Sequence, residues 1–176
     1  MDSIRCFDVL FAFLGIVILL PFFIIIALLI KITSAGPILF KQNRVGKNNV
    51  DFKLFKFRTM QVNAESKGQL TVGGRDSRIT NVGYFLRKFK LDELPQLFNV
   101  LNGTMSLVGP RPEVRKFVNF YTVEQQKVLL VLPGITDFAS IEFRNENELL
   151  ANATNPEQYY IEVIMPKKID LNTRTD

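Results

Sequence analysis

The feature that most constrains this chain is a run of 22 residues, Val9 to Ile30, without a charged or amide side chain. As an α-helix, such a run is about 33 Å long, enough to cross a bilayer core of about 30 Å. It is longer than the apolar part of a cleavable signal peptide, and no A-x-A-like site follows it. The run therefore predicts a permanent membrane anchor.

Pro21 lies just past the middle of the run and predicts a break or kink, because proline removes a backbone hydrogen bond and clashes with the preceding turn. Two membrane paths are open. A kinked helix can span the bilayer with its N-terminus outside, or the helix can bend at Pro21 and return to the side it entered, since each half is too short to span. The basic stretch after the run places the rest of the chain in the cytoplasm in both cases.

Composition limits the chemistry that the chain can perform. It has no histidine and a single cysteine, Cys6. These counts exclude a histidine base, an imidazole metal site, an internal disulfide and an iron–sulfur cluster. Catalysis must rest on Asp, Glu, Lys, Arg, Tyr or Ser, or on a hard metal such as Mg²⁺ held by oxygen ligands.

The net charge of +5 is concentrated after the apolar run. From Lys31 to Arg58, seven basic residues accompany one acid, Asp51. This stretch indicates an anionic partner such as phospholipid headgroups, nucleic acid or a phosphorylated small molecule, and it is equally typical of a solvated surface.

Residues 38–42 and 51–57 predict two strands joined by a turn at 46–49, because the second segment alternates apolar and charged side chains. This is a β-hairpin pattern. Its apolar side chains (Phe52, Leu54, Phe55 and Phe57) could instead lie on a membrane surface, with the neighbouring lysines at the headgroups.

Residues 91–103 are the most informative stretch. Their apolar residues recur at helical spacing and predict one apolar helix face (Leu94, Leu97, Phe98 and Leu101). Asp92 suits the N-cap of this helix and Gly103 its C-terminal end. On the structural interpretation, Asp92 and Glu93 are ordinary acids placed favourably at a helix N-terminus.

The same placement also suits catalysis. Helix N-terminal amides would keep Asp92 ionised and available as a nucleophile. Adjacent helical residues point about 100° apart, so one acid can attack while Glu93 holds a cation. The surrounding Arg and Lys suit a phosphorylated substrate, whose charge must be neutralised before an anion can attack it.

Three other segments carry recognisable patterns. Gly73-Gly74 lies in a polar stretch and could cradle a phosphate, although no Walker or Gly-x-Gly-x-x-Gly pattern surrounds it. Residues 109–113 predict a rigid turn that presents Arg111. Residues 122–125 predict a capping box that opens an apolar helix ending at Leu132.

Several blocks of this chain form an ordered pattern. They are Arg5-x-Phe7-Asp8 before the run with Pro21, residues 33–42, 44–46, 56–60, 76–80 with Gly83 and 86–88, 91–101, 105–112 and 132–136. With LDELPQLFNVL at 91–101 as the strongest match, this pattern resembles that of the bacterial sugar transferases, small monotopic phosphoglycosyl transferases. The resemblance covers nearly the whole chain.

The resemblance implies a two-step transfer at the cytoplasmic face of the bacterial inner membrane. Asp92 would attack the β-phosphate of a UDP-sugar, UMP would leave, and the phosphosugar held on Asp92 would pass to a polyprenol phosphate. Glu93 would bind Mg²⁺. The substrate-binding residues that the resemblance implies are Arg58, Arg87, Pro110, Arg111 and Arg144.

The expected fold class is α+β: a re-entrant helix-break-helix membrane hairpin over residues 1–32, then a mostly helical catalytic domain over 33–176 with a small β-hairpin. The expected partners are the UDP-sugar, the polyprenol phosphate, membrane lipid and downstream glycosyltransferases, with no nucleic acid. Two alternatives are a catalytically inactive membrane scaffold and an anchored basic module that binds lipid or nucleic acid. The basic module does not account for the Asp92–Glu93 pair.

Overall fold

The computed structural model describes residues 3–64 and 76–173, which mix helices with two small sheets. The helices are α1 (Ser3–Thr33), α2 (Asn81–Lys88), α3 (Gln96–Leu101), α4 (Arg115–Val118), α5 (Phe138–Glu142), α6 (Glu146–Ala151), α7 (Pro156–Tyr159) and α8 (Met165–Thr173). The strands are β1 (Leu39–Val45), β2 (Asp51–Phe57), β3 (Ser106–Val108) and β4 (Gly134–Thr136). Short 3-10 segments cover Lys47–Asn49, Leu91–Glu93 and Gln125–Leu130, and a π-helical segment, Tyr160–Ile164, joins α7 to α8. The predicted mixture of helix and strand is confirmed, whereas Gly73 and Gly74 lie outside the described residues.

The described residues form two compact units. The first contains residues 3–42, 54–64 and 76–103, and the second contains residues 43–53 and 104–173. The apolar helix α1 therefore belongs to the same unit as the stretch that carries Asp92 and Glu93.

α1 is one continuous helix of 31 residues that includes Pro21. The sequence predicted a break or a kink at this proline. The break is absent, since the helix is unbroken, whereas a bend of the helix axis at Pro21 stays a prediction. The physical reason is that proline removes only its own backbone donor, so a helix can persist when the hydrogen bonds on both sides hold it.

Only a narrow stripe of α1 is buried. Its members follow helical spacing and lie on one face: Asp8, Ala12, Phe23, Ile26 and Ile30. The Phe23 ring lies 5.6 Å from the Phe57 ring and 5.9 Å from the Phe98 ring, between centroids. Most of the other apolar side chains of α1 are exposed, so this helix packs on one side and offers lipid-compatible surface on the rest.

The predicted hairpin is present as β1 and β2, with β1 starting one residue later than expected and continuing to Val45. Leu54 and Phe57 are buried, so they form core and not the membrane surface considered from the sequence. The backbone N–H of Phe55 donates to Asn99 Oδ1 at 2.9 Å, which ties the hairpin to α3.

The core of the second unit comes mainly from its C-terminal helices. Its buried members include Val114, Phe117, Leu150, Tyr160, Ile164 and Ile169. β3 and β4 pair in parallel, with Ser106 opposite Gly134 and Val108 opposite Thr136.

The capping box predicted at residues 122–125 is confirmed. The Thr122 N–H donates to Gln125 Oε1 at 2.9 Å, and the Gln125 N–H donates to Thr122 Oγ1 at 3.2 Å. The segment that follows is a short 3-10 helix, Gln125–Leu130, and not the longer helix to Leu132 that the apolar run predicted.

Gly83 marks the closest approach of α2 to the chain that follows β2. A Cβ added there would lie 2.0 Å from the Thr59 carbonyl oxygen. Thr80 caps the same helix, since its Oγ1 accepts from the Gly83 N–H at 2.9 Å. Only glycine fits this contact without displacing backbone.

Gly83→Ala should lower the free energy of unfolding by about 1–3 kcal/mol, the usual cost of overpacking. Thermal unfolding followed by circular dichroism in detergent measures the change. Asn81→Ala, on the exposed start of the same helix, is the control and should shift stability by less than about 0.5 kcal/mol. Equal midpoint temperatures of unfolding for the two variants would contradict the close contact between Gly83 and Thr59.

Candidate active site

Asp92 lies in the 3-10 turn Leu91–Glu93, and its side chain is only 6% exposed. Lys90 precedes the turn in the left-handed region, with φ 58°. Leu94 and Pro95 then continue in right-handed helical conformation into α3. This reversal after α2 directs a carboxylate towards the interior of the first unit.

The prediction that Asp92 caps a helix is wrong. Lys90 occupies the N-cap of the turn, and Pro95 occupies that of α3. Burial raises the pKa of Asp92 above its ordinary value, Lys56 opposes that shift, and Glu93 adds to it. The site therefore contains a carboxylate that is desolvated and balanced by nearby cations, without the cap geometry that the sequence suggested.

Two cationic side chains accompany the acids. Lys56 Nζ lies 3.0 Å from Glu93 Oε1, and both side chains are mostly buried. The Arg87 Nε–H donates to Thr59 Oγ1 at 2.9 Å. Burial lowers the pKa of Arg87, and the charge of Asp92 acts against that shift. Arginine remains charged at neutral pH, so the site combines two acids with two cations.

Among the predicted site residues, Asp92, Glu93 and Arg87 thus lie within electrostatic reach of one another, together with Lys56, and their roles stay predictions. Sequence reasoning assigned Lys56 only to the basic hairpin. Its place at the start of the block 56–60, which resembles the family, was the available signal.

Arg58 is buried, and its guanidinium donates hydrogen bonds to the turn that follows α1. Its Nη2–H donates to the Ser34 carbonyl oxygen and to Ser34 Oγ, both at 2.8 Å, and its Nη1–H donates to the Ala35 carbonyl oxygen. These contacts give Arg58 a role in positioning the chain as it leaves α1. Phosphate binding by Arg58 stays a prediction.

α3 buries amide side chains as well as apolar ones. Leu94 and Leu97 of the predicted apolar face are half-buried against the cluster around α1, whereas Phe98 of the same face is 40% exposed. Gln96 and Asn99, however, are also almost fully buried. Hydrophobic periodicity counts amides as surface residues and therefore misses them, although Asn99 holds the hairpin in place.

Pro110 and Arg111 belong to the second unit. The Arg111 backbone N–H donates to Asp137 Oδ2 at 3.0 Å, and Asn172 Nδ2 donates to the same oxygen at 2.7 Å. The Ser140 N–H donates to Asp137 Oδ1 at 2.6 Å. Burial acts to raise the pKa of Asp137, but these hydrogen bonds outweigh it and lower that pKa. Asp137 is therefore a fixed anionic anchor for the turn.

Two sequence blocks of the second unit form one structural element. The Gly109 N–H donates to the Thr136 carbonyl oxygen, and the Gly134 N–H donates to the Pro110 carbonyl oxygen, both at 3.0 Å. A Cβ on Gly134 would lie 2.1 Å from the Gly109 nitrogen. The turn that presents Arg111 is thus fixed to β4 by backbone contact.

A cleft beside this turn is lined by Arg111, Glu113, Tyr160 and Lys168 together with apolar side chains. Arg144 is exposed between α5 and α6 and is not among the residues that line the cleft. Phosphate binding by Arg111 and Arg144 stays a prediction.

The acid pair suits a particular kind of metal site. Among residues 3–64 and 76–173, no group of three or more His, Cys, Asp or Glu side chains is placed to hold a metal. Mg²⁺, however, usually binds through one or two carboxylates and completes its shell with substrate phosphates and water. Glu93, with Asp92 beside it, fits an ion of that kind.

This chain belongs to the bacterial sugar transferase family, whose family model matches residues 3–172. It is 46% identical over 140 residues to a UDP-N-acetylgalactosamine-undecaprenyl-phosphate N-acetylgalactosaminephosphotransferase of Aeromonas hydrophila. It is 42% identical over 132 residues to a putative undecaprenyl-phosphate N-acetylgalactosaminyl 1-phosphate transferase of Bacillus subtilis. It is 37% identical over 168 residues to a UDP-glucose:undecaprenyl-phosphate glucose-1-phosphate transferase of Escherichia coli.

These matches cover 78%, 75% and 91% of this chain, respectively. They cover 33% of the Aeromonas protein, 70% of the Bacillus protein and 35% of the Escherichia protein. The chain thus spans about a third of the length of two of these relatives.

The raised pKa of Asp92 predicts how stability depends on pH. Between the ordinary carboxyl pKa and the raised one, the folded protein binds more protons than the unfolded chain, so stability falls as pH rises through that interval. Asp92→Asn removes the free-energy cost of ionising this buried carboxyl group. In metal-free buffer it should unfold at a higher temperature than wild type at pH 7.5, and the difference should shrink as the pH approaches 4.

Asp76→Asn is the matched control for this pH dependence. The hydrogen bond between Asp76 and Arg78 lowers the pKa of Asp76. This carboxylate therefore stabilises the fold at pH values above the pKa that it has in the unfolded chain. Its replacement should therefore lower the unfolding temperature at pH 7.5. If Asp92→Asn also unfolded at a lower temperature than wild type at pH 7.5, the result would contradict the assignment of Asp92 as a buried charge that costs stability.

Proposed function

We propose that this chain is a phosphoglycosyl transferase, which moves a sugar 1-phosphate from a UDP-sugar to a membrane polyprenol phosphate and releases UMP. The observation that carries the proposal is Asp92, a buried carboxylate with Glu93, Lys56 and Arg87 in its electrostatic surroundings. The names of the relatives, which include undecaprenyl phosphate, support this substrate class.

In the proposed first step, an Asp92 carboxylate oxygen attacks the β-phosphorus of the donor. The bond from that phosphorus to the oxygen bridging the two phosphates breaks, and UMP leaves with the bridging oxygen. The sugar phosphate is then joined to Asp92 as an acyl phosphate. Lys56 and Arg87 supply positive charge where the phosphoryl oxygens must lie.

In the second step, a phosphate oxygen of the polyprenol phosphate attacks the same phosphorus. The bond to Asp92 breaks, its carboxylate is restored, and a polyprenyl diphosphate sugar is formed. Neither nucleophile needs a general base, because a carboxylate and a phosphate monoester are both anions near neutral pH. This chemistry fits a chain without histidine.

Mg²⁺ is the proposed cofactor, held by Glu93. When bound, it would neutralise the diphosphate charge as a Lewis acid. Glu93 is paired with Lys56 at 3.0 Å, so Lys56 is positioned to exchange between the carboxylate and a substrate phosphate.

We infer that the axis of α1 bends at Pro21 within its unbroken run of helical residues, so that α1 enters and leaves the bilayer on the same side, the cytoplasmic face of the bacterial inner membrane. At its N-terminal end, the Arg5 Nη2–H donates to the Leu101 carbonyl oxygen at 3.1 Å, and Gly15 faces Leu97. At its other end, Ser34 is held by Arg58. A spanning α1 would carry the Arg5 contact, and α3 with it, to the far side of the membrane from the basic stretch.

The proposal does not specify which sugar is transferred. The relatives' names specify N-acetylgalactosamine in two cases and glucose in another, so a panel of UDP-sugars is the appropriate donor set. The lipid-linked product would be the substrate of downstream glycosyltransferases that build a surface glycan.

The test is UMP release from each UDP-sugar by purified protein in nanodiscs with Mg²⁺. Without acceptor, one UMP per protein should appear with the active donor, and added undecaprenyl phosphate should allow turnover. Asp92→Asn should reduce the rate by at least about 1,000-fold, because it removes the nucleophile. Asp51→Asn, which changes an exposed acid of the second unit, is the control and should retain activity.

Chelation of Mg²⁺ should abolish release, and Glu93→Gln should require a higher Mg²⁺ concentration. UMP release by Asp92→Asn at the wild-type rate would remove this residue from the mechanism. Absence of release with every donor would favour the inactive scaffold or the basic binding module.

A further inference from the structure

Gln96, at the start of α3, carries a buried amide nitrogen that the described residues leave without a hydrogen-bond acceptor. The residue is 1% exposed, and its Nε2 atom is buried from solvent. A buried N–H without an acceptor destabilises a folded protein, so an amide at such a position calls for a role other than packing.

Asn99, one turn further along α3, shows how a structural amide is satisfied. It is fully buried, and its Oδ1 accepts the Phe55 N–H at 2.9 Å. That hydrogen bond offsets the burial of Asn99 and joins α3 to the hairpin. Gln96 is buried as deeply on the same helix, but its Nε2 makes no such bond within residues 3–64 and 76–173.

Helical spacing places Gln96 at the acid pair. The chain runs in right-handed turns from Leu91 to Leu101. Since successive helical residues are rotated by about 100°, Gln96 lies about 40° from Asp92 and about 60° from Glu93 around the axis. Long side chains of a helix lean towards its N-terminus, over the residues three and four positions earlier. For Gln96 these two residues are Glu93 and Asp92.

Strand β2 passes along the same part of α3. Lys56 Nζ lies 3.0 Å from Glu93 Oε1, and the Phe55 N–H reaches Asn99. Gln96 lies between these two contacts along the helix, which accounts for its burial. Its amide is therefore enclosed by the same segments that form the candidate site.

The cations of the site already have partners within the resting chain. Lys56 is paired with Glu93, and the Arg87 Nε–H donates to Thr59 Oγ1 at 2.9 Å. The Nε2–H of Gln96 differs from them, because an added acceptor would complete its hydrogen bonding without breaking a bond to any described residue. A phosphoryl group bonded to Asp92 brings such acceptors, since its oxygens are anionic.

We propose that Gln96 is a further catalytic residue of the transfer, whose Nε2–H donates to an oxygen of the phosphoryl group as that group becomes bonded to Asp92. The inference rests on the proposed function. The hydrogen bond forms in the course of the first step, so it stabilises the transition state and the covalent phosphosugar more than the bound UDP-sugar.

The first test is the rate of the single UMP release in nanodiscs with Mg²⁺ and the active UDP-sugar. Gln96→Met removes the N–H and keeps a long, unbranched side chain. At saturating donor its rate should fall at least about tenfold, while the donor concentration for half-maximal rate should change less than about twofold. Phe98→Leu, at an exposed position of the same helix, is the control and should keep the wild-type rate.

A wild-type rate for Gln96→Met would overturn the proposal, because a buried water would then be a sufficient partner for the amide.

Thermal unfolding in metal-free buffer separates a functional amide from a structural one. Gln96→Met should unfold at the wild-type temperature or above it, because it removes an unpaired buried donor. Asn99→Leu should unfold at a lower temperature than wild type, because the Phe55 N–H loses its acceptor. A lowered unfolding temperature for Gln96→Met would show that the amide supports the fold, and would overturn the proposal.

Gln96→Glu gives a readout that a packing role would not change. The introduced carboxyl group has nearly the shape of the amide but donates a hydrogen bond only when it is protonated. Burial and the charges of Asp92 and Glu93 raise the pKa of this group, and Lys56 and Arg87 oppose that shift. The rate of the variant divided by that of wild type at the same pH should rise at least about fivefold from pH 8 to pH 5.5. A ratio that does not rise would contradict the donor role.

The proposed function and this inference fail separately. Absence of UMP release by wild type with every donor would contradict the proposed function. Loss of release by Asp92→Asn together with a wild-type rate for Gln96→Met would contradict only the role of Gln96.

Discussion

The candidate site of the first unit is built around the burial of one carboxylate. Asp92 is 6% exposed, and desolvation of a charged group is costly unless nearby charges compensate it. Burial raises the pKa of Asp92 and outweighs Lys56 and Arg87, which act to lower it, so that pKa stays raised. The placement therefore costs stability, and carboxyl groups with shifted pKa values of this kind are common at catalytic sites.

Sequence patterns predicted much of this arrangement. The apolar run forms a helix and the alternating segments form the hairpin, whereas Phe98 of the apolar face predicted at residues 91–103 is 40% exposed and its leucines are only half-buried. The burial of Asp92, Gln96 and Asn99 could not be read from periodicity, because it depends on contacts between distant segments, such as the Phe55 N–H with Asn99 Oδ1. The break predicted at Pro21 is absent for a related reason. The local preference of proline does not decide whether the hydrogen bonds on both sides of it hold the helix together.

The first unit also joins the long apolar helix to the candidate site. α1 packs along α3, which directly follows the acid pair, and α2 packs between α1 and the turn that carries it. The apolar helix and the carboxylate thus belong to one compact unit instead of being separated by a linker. This arrangement suits the proposed acceptor, which stays in the bilayer.

The most direct measurement of the central claim is to locate the phosphosugar on the chain. Protein mixed with its UDP-sugar without acceptor, quenched in acid and digested, would be analysed by peptide mass spectrometry. The account predicts a phosphosugar mass on the peptide that contains residues 91–101, at Asp92, and its disappearance on addition of undecaprenyl phosphate. Product formation with no adduct at any stage of turnover, or an adduct on another residue, would contradict it.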